Sequence, residues 1–304
     1  MLRPFTLHRP QTAEEACALL ARLGEDAVPY AGGTELLLLM KLGLLRPPHL
    51  VDVKRIPELS GLADGDRLTI GATVTHRALE RSALVRARCP LVASVARHVA
   101  NVRVRNVGTV GGNLAFADPH SDLATLFLAL DARVELVSPG GRRELALDDF
   151  VRGPWETARR PDELLACVKL APWPSRAAAY VKFGVHERPT LGMAVSLGLN
   201  GADGREGVRI QDARIAVGCV GPRPARMAAA EARLRGVTVD HVDDVVSAVG
   251  DAAAAGVDPA DDMHGSADYK REMVAVFVRR ALRAAVARAR GVEPAIGFPY
   301  AVVA

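Results

Sequence analysis

Ala31-Gly32-Gly33-Thr34-Glu35 and Val107-Gly108-Thr109-Val110-Gly111-Gly112-Asn113 are the two stretches on which the reading of this chain turns. The first follows a short strand-like run, Val28-Pro29-Tyr30, and precedes the apolar run Leu36–Met40, so a strand, a glycine turn and a short helix to about Leu42 are expected in that order. Upstream, Thr12-Ala13-Glu14-Glu15 has the form of a capping box, in which the Thr12 hydroxyl accepts from the Glu15 amide and the Glu15 side chain reaches back. Ala16, Leu19, Leu20 and Leu23 follow at helical spacing until Gly24 stops the helix. Leu50-Val51-Asp52-Val53 adds another strand. The opening segment therefore reads β-α-β, with glycines where a strand hands over to a helix.

Downstream of that unit the pattern loosens. Leu68–Ile70 reads as a strand, Thr75–Glu80 as a short helix, and Pro90 suits the first turn of a helix reaching about Ala100. Residues 101–121, rich in Gly and Asn, read as a long irregular segment, and Asp122–Leu130 as an apolar helix. Arg133–Val137 and Glu144–Leu147 flank Pro139-Gly140-Gly141 and predict a hairpin. Pro172-Trp173-Pro174 interrupts the chain and marks the expected domain boundary. Past it, Tyr180–Phe183, Met193–Leu199 and Arg209–Val220 alternate like antiparallel strands, and Pro222 and Pro224 introduce helices. The last helix, about Tyr269 to Arg290, carries Arg279, Arg280, Arg283, Arg288 and Arg290, and such a run reads as a solvated face rather than a nucleic-acid stripe.

Composition excludes several classes. At 304 residues and 49% hydrophobic, the chain buries a sizeable core and has room for about two domains. Its net charge of +4 is too balanced to argue for nucleic acid. The apolar run Leu36–Met40 ends at Lys41, far short of a membrane span, and the N-terminus lacks the apolar core of a signal peptide. Cys17, Cys89, Cys167 and Cys219 lie far apart with no C-x-x-C, so they read as buried small hydrophobes of a reducing cytoplasm, not as disulfides or metal ligands.

Paired glycines let neighbouring backbone N–H groups point into one concavity without side-chain obstruction, which suits a phosphate. Thr34, Thr109 and Asn113 can add side-chain donors. A lone Gly-Gly is usually just a turn, as at Gly140-Gly141, and neither loop matches the dinucleotide G-x-G-x-x-G or the P-loop pattern. Two such loops, each flanked by Thr and followed by an apolar helix, make a pyrophosphate cradle the sharper expectation.

The same residues carry a resemblance. Ala31-Gly32-Gly33-Thr34-Glu35, then Val104 through Leu114, Asp118-Pro119, Asp122, Asp162-Glu163-Leu164-Leu165, Lys182-Phe183 and Gly265 through Arg271 resemble, in order and over nearly the whole chain, the flavoprotein subunit of molybdenum hydroxylases. That group includes the medium subunit of carbon monoxide dehydrogenase and the flavin domain of xanthine dehydrogenase. The resemblance implies an α+β fold: a two-subdomain FAD-binding domain related to vanillyl-alcohol oxidase (1–174, subdomains about 1–58 and 59–174), then a smaller C-terminal α+β domain (175–304). By the same resemblance, Tyr30, Ala31, Gly32, Gly33, Thr34, Glu35 and Leu36 together with Thr109, Gly111, Gly112 and Asn113 wrap the FAD pyrophosphate through backbone amides. Asp122 would hydrogen-bond the sugar or phosphate region, Ala100 and Val104 would line the cofactor, and Leu165 and Lys182 would approach the flavin ring. Asp122 also reads as an ordinary helix N-terminal acid, and Lys182 equally well as a strand residue alternating outward into solvent. His186-Glu187 stand where the family often has an acidic-aromatic pair, and neither His120 nor His186 is assigned a catalytic role.

With no cysteine cluster and no space for a molybdenum domain, a chain of this family would receive electrons from a small subunit carrying two [2Fe–2S] clusters, themselves fed by a large molybdopterin subunit, in a dimer of heterotrimers. Its FAD would discharge them to a terminal acceptor: NAD⁺, a quinone or O₂. The cysteine-rich insertion of the benzoyl-CoA reductase branch is missing. Two alternatives stand beside this: a self-contained flavin oxidoreductase, and a scaffold that has lost the cofactor.

Overall fold

A computed structural model describes residues 2–172, 177–184, 188–200, 207–294 and 301–303. The chain forms three sheet-centred units in sequence order. In the first, strands Thr6–His8, Ala27–Tyr30 and His49–Asp52 make a parallel sheet with His49–Asp52 in the middle. Helices Ala13–Leu23 and Leu36–Leu42 are the crossovers, as the opening pattern predicts. Thr12 accepts from the Glu15 amide at 3.1 Å, while the Glu15 carboxylate takes the Gln11 amide, one residue before the expected target. Three short strands cannot enclose a core alone. Ala13, Ala16, Cys17 and Leu20 accordingly pack with Val137, Leu164 and Ala166 of the second sheet.

That second sheet runs Leu62–Ala63, Leu68–Gly71, Leu164–Leu170, Arg133–Ser138, Gly141–Ala146, with antiparallel pairing throughout. Its helices hold the sharpest departure from the sequence reading. The segment 101–121 is not irregular: it contains helices Val102–Val107 and Val110–Phe116. Side-chain caps explain both, since Asn101 accepts from the amides of Arg103 and Val104, and Thr109 accepts from Gly112. Gly111 is tolerated in a helix because a Cβ there would come within 2.5 Å of the Ala72 Cβ. Close packing, not flexibility, is the reason for that glycine.

The third sheet orders Ala225–Arg226, Arg209–Gly218, Leu191–Asn200, Ala177–Phe183, Ala301–Val303, again antiparallel, and is covered by helices Val242–Ala255 and Ala267–Ala289 over a separate apolar core. The arginines of the last helix are paired: Arg279, Arg283 and Arg290 reach Asp251, Asp243 and Asp240. Helix Asp122–Ala129 is buried on all sides, which accounts for a sequence that is apolar but for Asp122 and Thr125. A Cβ on Gly218 would collide with the Thr125 hydroxyl, so the third sheet meets this helix where glycine admits it. Among the described residues no helix is long and apolar enough to cross a membrane, and all four cysteines are free and buried. Trp173 and Pro174 of the expected boundary, and His186 and Glu187, lie outside the described residues.

Candidate functional site

The loop 31–35 leaves the carboxyl end of strand Ala27–Tyr30, where open α/β units place their ligands. Four consecutive amides, those of Gly32, Gly33, Thr34 and Glu35, donate to no acceptor among the described residues. Gly33 takes a left-handed φ of +71°, which only glycine adopts without strain. Gly32 abuts the second loop: a Cβ there would strike the Val107 carbonyl and lie 2.8 Å from Gly108 Cα.

The second loop behaves differently. Val110 N–H donates to Val74 O at 2.9 Å, Gly111 to Ala72 O at 2.8 Å, Gly112 to Thr109 Oγ1 at 3.1 Å and Asn113 to Thr109 O at 2.9 Å. Of the two sets of amides expected at a phosphate, only the first is without acceptors among the described residues. The second set is engaged within the protein, because Thr109 caps the helix and the segment pairs against residues 72–74. What this loop presents to the cavity is side-chain polarity, from Thr109 and Asn113. The Ser121 hydroxyl donates to Asn113 Oδ1 at 2.6 Å, leaving the Asn113 amide nitrogen for other partners.

The two loops face a cavity of about 320 Å³, at the lower end of the range for small-molecule sites. Of the expected residues, Ala31, Gly32, Gly33, Thr34, Glu35, Leu36, Ala100, Val104, Thr109, Gly111, Gly112, Asn113, Asp122 and Leu165 form its wall. Tyr30 and Lys182 stand back from it. Leu165 sits at a bulge in its strand, where the register shifts between Leu165 and Cys167. Ala100 is held at a φ of +40° while Arg105 Nη1 donates to its carbonyl at 3.1 Å and to that of Val99 at 3.0 Å. That strained backbone is fixed at the cavity wall.

Lys182 neither points into solvent nor lines the cavity. It is buried, and its Nζ donates to Asp122 Oδ2 at 2.8 Å and to His98 O at 3.1 Å. Tyr180 Oη donates to Asp122 Oδ1 at 2.7 Å. Burial pushes the Asp122 carboxyl upward, against the opposing pull of Lys182 and both hydrogen bonds. The third sheet thus grips a carboxylate that the second unit buries at the cavity wall.

Sequence reasoning missed several wall residues. Asp118 Oδ1 accepts from the His120 amide at 2.9 Å and lies 3.2 Å from its Nδ1, while Arg188 reaches Asp118 Oδ2 at 3.0 Å and Glu35 at 3.6 Å. Burial alone would raise Asp118, but His120 and Arg188 outweigh it and the net direction is down. Glu35 is pushed up by burial against the pull of Arg188. His76, from the helix His76–Arg81, also lines the wall, and no motif in the sequence marks it. His76 Nδ1 and His120 Nε2 are buried with no partner among the described residues. The ligand-facing feature is the run of amides at 32–35 with no acceptor among the described residues, and it suits a polar, anionic ligand.

Comparison with known proteins gives that ligand a name. Residues 3–173 match the FAD binding domain in molybdopterin dehydrogenase, and residues 177–285 the CO dehydrogenase flavoprotein C-terminal domain. The carbon monoxide dehydrogenase medium chain of Hydrogenophaga pseudoflava is 37% identical over 288 residues, covering 93% of this chain and 98% of that protein. The xanthine dehydrogenase FAD-binding subunit of Escherichia coli is 27% identical, covering 93% and 97%. In three dimensions the chain superposes with a TM-score of 0.88 and 37% identity on a solved structure of carbon monoxide dehydrogenase from Hydrogenophaga pseudoflava, covering 95% of this chain and 99% of that one. The chain therefore belongs to the FAD-binding family of the molybdopterin dehydrogenases, as an oxidoreductase subunit of the carbon monoxide and xanthine dehydrogenase type.

Proposed function

We propose that this chain is the electron-transferring subunit of a heterotrimeric molybdenum hydroxylase. It takes electrons from the [2Fe–2S] clusters of a small partner subunit, downstream of a large molybdopterin subunit, and passes them to a terminal acceptor. Within it, residues 1–174 form the FAD-binding domain and 175–304 the C-terminal domain. The heterotrimer pairs into a dimer and works in the cytoplasm. The observation that carries the reading is the cavity wall: a run of four successive amides with no acceptor among the described residues, on a loop whose Gly32 meets the Val107–Gly108 backbone of the facing loop.

The fit divides by residue. Gly32, Gly33, Thr34 and Glu35 offer backbone N–H groups to the pyrophosphate, and Thr109 and Asn113 add side-chain polarity from the facing loop. Asp122 accepts from a sugar hydroxyl, held in place by Tyr180 and Lys182. Leu36, Ala100, Val104 and Leu165 provide apolar wall that keeps water away, with Tyr30 behind the first loop and Gly111 packing the second against Ala72. Bound FAD supplies a redox centre that accepts electrons singly and releases them singly or in pairs. Arg188 spans Glu35 of the first loop and Asp118 at the wall, so the C-terminal domain reaches the cavity beside the first loop.

The test is the absorption spectrum and flavin content of the purified chain, alone and with its iron–sulfur partner. FAD bound tightly and reduced only through the partner is the expected result. Reduction by a small molecule without the partner would favour a self-contained oxidoreductase. Absence of flavin from both preparations would reduce the chain to a scaffold.

A further inference from the structure

Ala100 has a φ of +40°, a left-handed backbone that alanine enters only under strain, and it does so at the cavity wall. Its own amide does not secure it, because Ala100 N–H donates to no acceptor among the described residues. The turn is held from its carbonyl side instead. Lys182 Nζ donates to His98 O at 3.1 Å, and Arg105 Nη1 donates to Val99 O at 3.0 Å and to Ala100 O at 3.1 Å. Three successive carbonyls thus each accept from a cation, an arrangement stronger than pairing between neutral groups. Lys182 has a second task at Asp122, whereas Arg105 Nη1 spends both its hydrogens on this turn.

Arg105 itself does not line the cavity, but Val99, Ala100 and Val104 do. Its side chain is mostly buried and projects from the helix Val102–Val107, with Nε 3.5 Å from Glu80 Oε2 in an ion pair that makes no hydrogen bond. The planar guanidinium fixes the directions of its N–H groups, so two neighbouring carbonyls are held in one geometry. An alanine released from that grip would relax toward negative φ and carry this part of the wall with it. We propose that Arg105 is a positioning residue for FAD binding: its hold on Val99 and Ala100 keeps the turn 98–100 in its ligand-binding shape while the cavity is empty. The ligand then meets a wall already in place and need not impose the strain itself. The proposal rests on the FAD reading and adds to it a residue that acts through the wall rather than by touching the cofactor.

The experiment is a fluorescence titration of the flavin-stripped chain with FAD, for Arg105→Met made in the wild-type and in the Ala100→Gly background. Glycine adopts positive φ without strain, so in the Ala100→Gly background the turn has none to release. Arg105→Met is expected to weaken FAD binding about 10-fold where Ala100 is kept, the equivalent of one left-handed alanine, and less than about 2-fold in the Ala100→Gly background. Arg105→Lys, which keeps the charge beside Glu80 and a donor for the carbonyls, should recover part of the affinity. Arg105→Gln gives the same two-background comparison should Arg105→Met fail to fold. A merely structural arginine would lower the thermal midpoint of the stripped chain and leave FAD affinity indifferent to the residue at position 100. Equal loss in the two backgrounds, or no loss in either, overturns the proposal. A wild-type chain that binds no FAD overturns the FAD reading itself, and this inference with it.

Discussion

The two glycine loops look alike in sequence and do different work. Across residues 32–35 four successive amides have no acceptor among the described residues, whereas the amides of 110–113 all donate to protein oxygens. In the first loop glycine frees the backbone to face a ligand, with Gly33 in a left-handed conformation. In the second, glycine lets a helix press against Ala72, where a Cβ would not fit. The first loop is thus the anion-facing element and the second the platform that holds it, joined where Gly32 meets the Val107–Gly108 backbone. A Gly-Gly pair says that a Cβ is unwelcome; it does not say whether the intruder excluded is a ligand or a neighbouring chain segment.

The comparison implies that perturbing the platform side costs stability, while perturbing the first loop costs affinity. The largest effect is expected from Lys182→Met, which strands the buried Asp122 carboxylate next to the platform. Urea denaturation of the flavin-free chain should show a loss of about 3–5 kcal/mol. An unchanged midpoint would mean that Asp122 does not depend on the third sheet.

Acid should act on the same side through His76. Its folded-state pKa of about 4 lies below the ordinary 6.5, so the unfolded chain binds the proton first as pH falls. Stability from this group is complete above pH 6.5 and is lost between 6.5 and about 4, a change of about 3 kcal/mol over that window. Denaturation at stepped pH should show this slope, and His76→Leu should flatten it.

Gly32→Ala tests the first loop. The added Cβ meets backbone it cannot displace, so the loops must part and the amides lose their aim. FAD affinity is expected to fall about 100-fold, close to 3 kcal/mol, in a fluorescence titration. A drop in thermal stability at unchanged affinity would erase the distinction between the loops. The smallest effect belongs to Thr109→Ala, which removes a helix cap from the platform and should cost about 1 kcal/mol of stability in denaturant.

How far these features could be read beforehand depended on the range of the interaction. The Thr12 cap, the β-α-β opening, the hairpin around Gly140-Gly141 and the long final helix follow from residues a few positions apart, and the structure has them all. The short helices within 101–121 escaped because Gly and Asn lower helix propensity, and their caps and packing against Ala72 were invisible in a composition reading. Lys182 could be read as outward or cofactor-facing because its partner, Asp122, is 60 residues away.

By itself, then, the sequence determined the local periodicities, the two glycine stretches and the likeness to an FAD-binding family, since each depends on residue types at short or fixed spacing. Only the tertiary structure decided which amides stay unpaired, which histidine nitrogens are orphaned and which sheet holds Asp122. Those are matters of hydrogen-bond satisfaction and burial, and both are settled when segments far apart in the chain exclude water from one another.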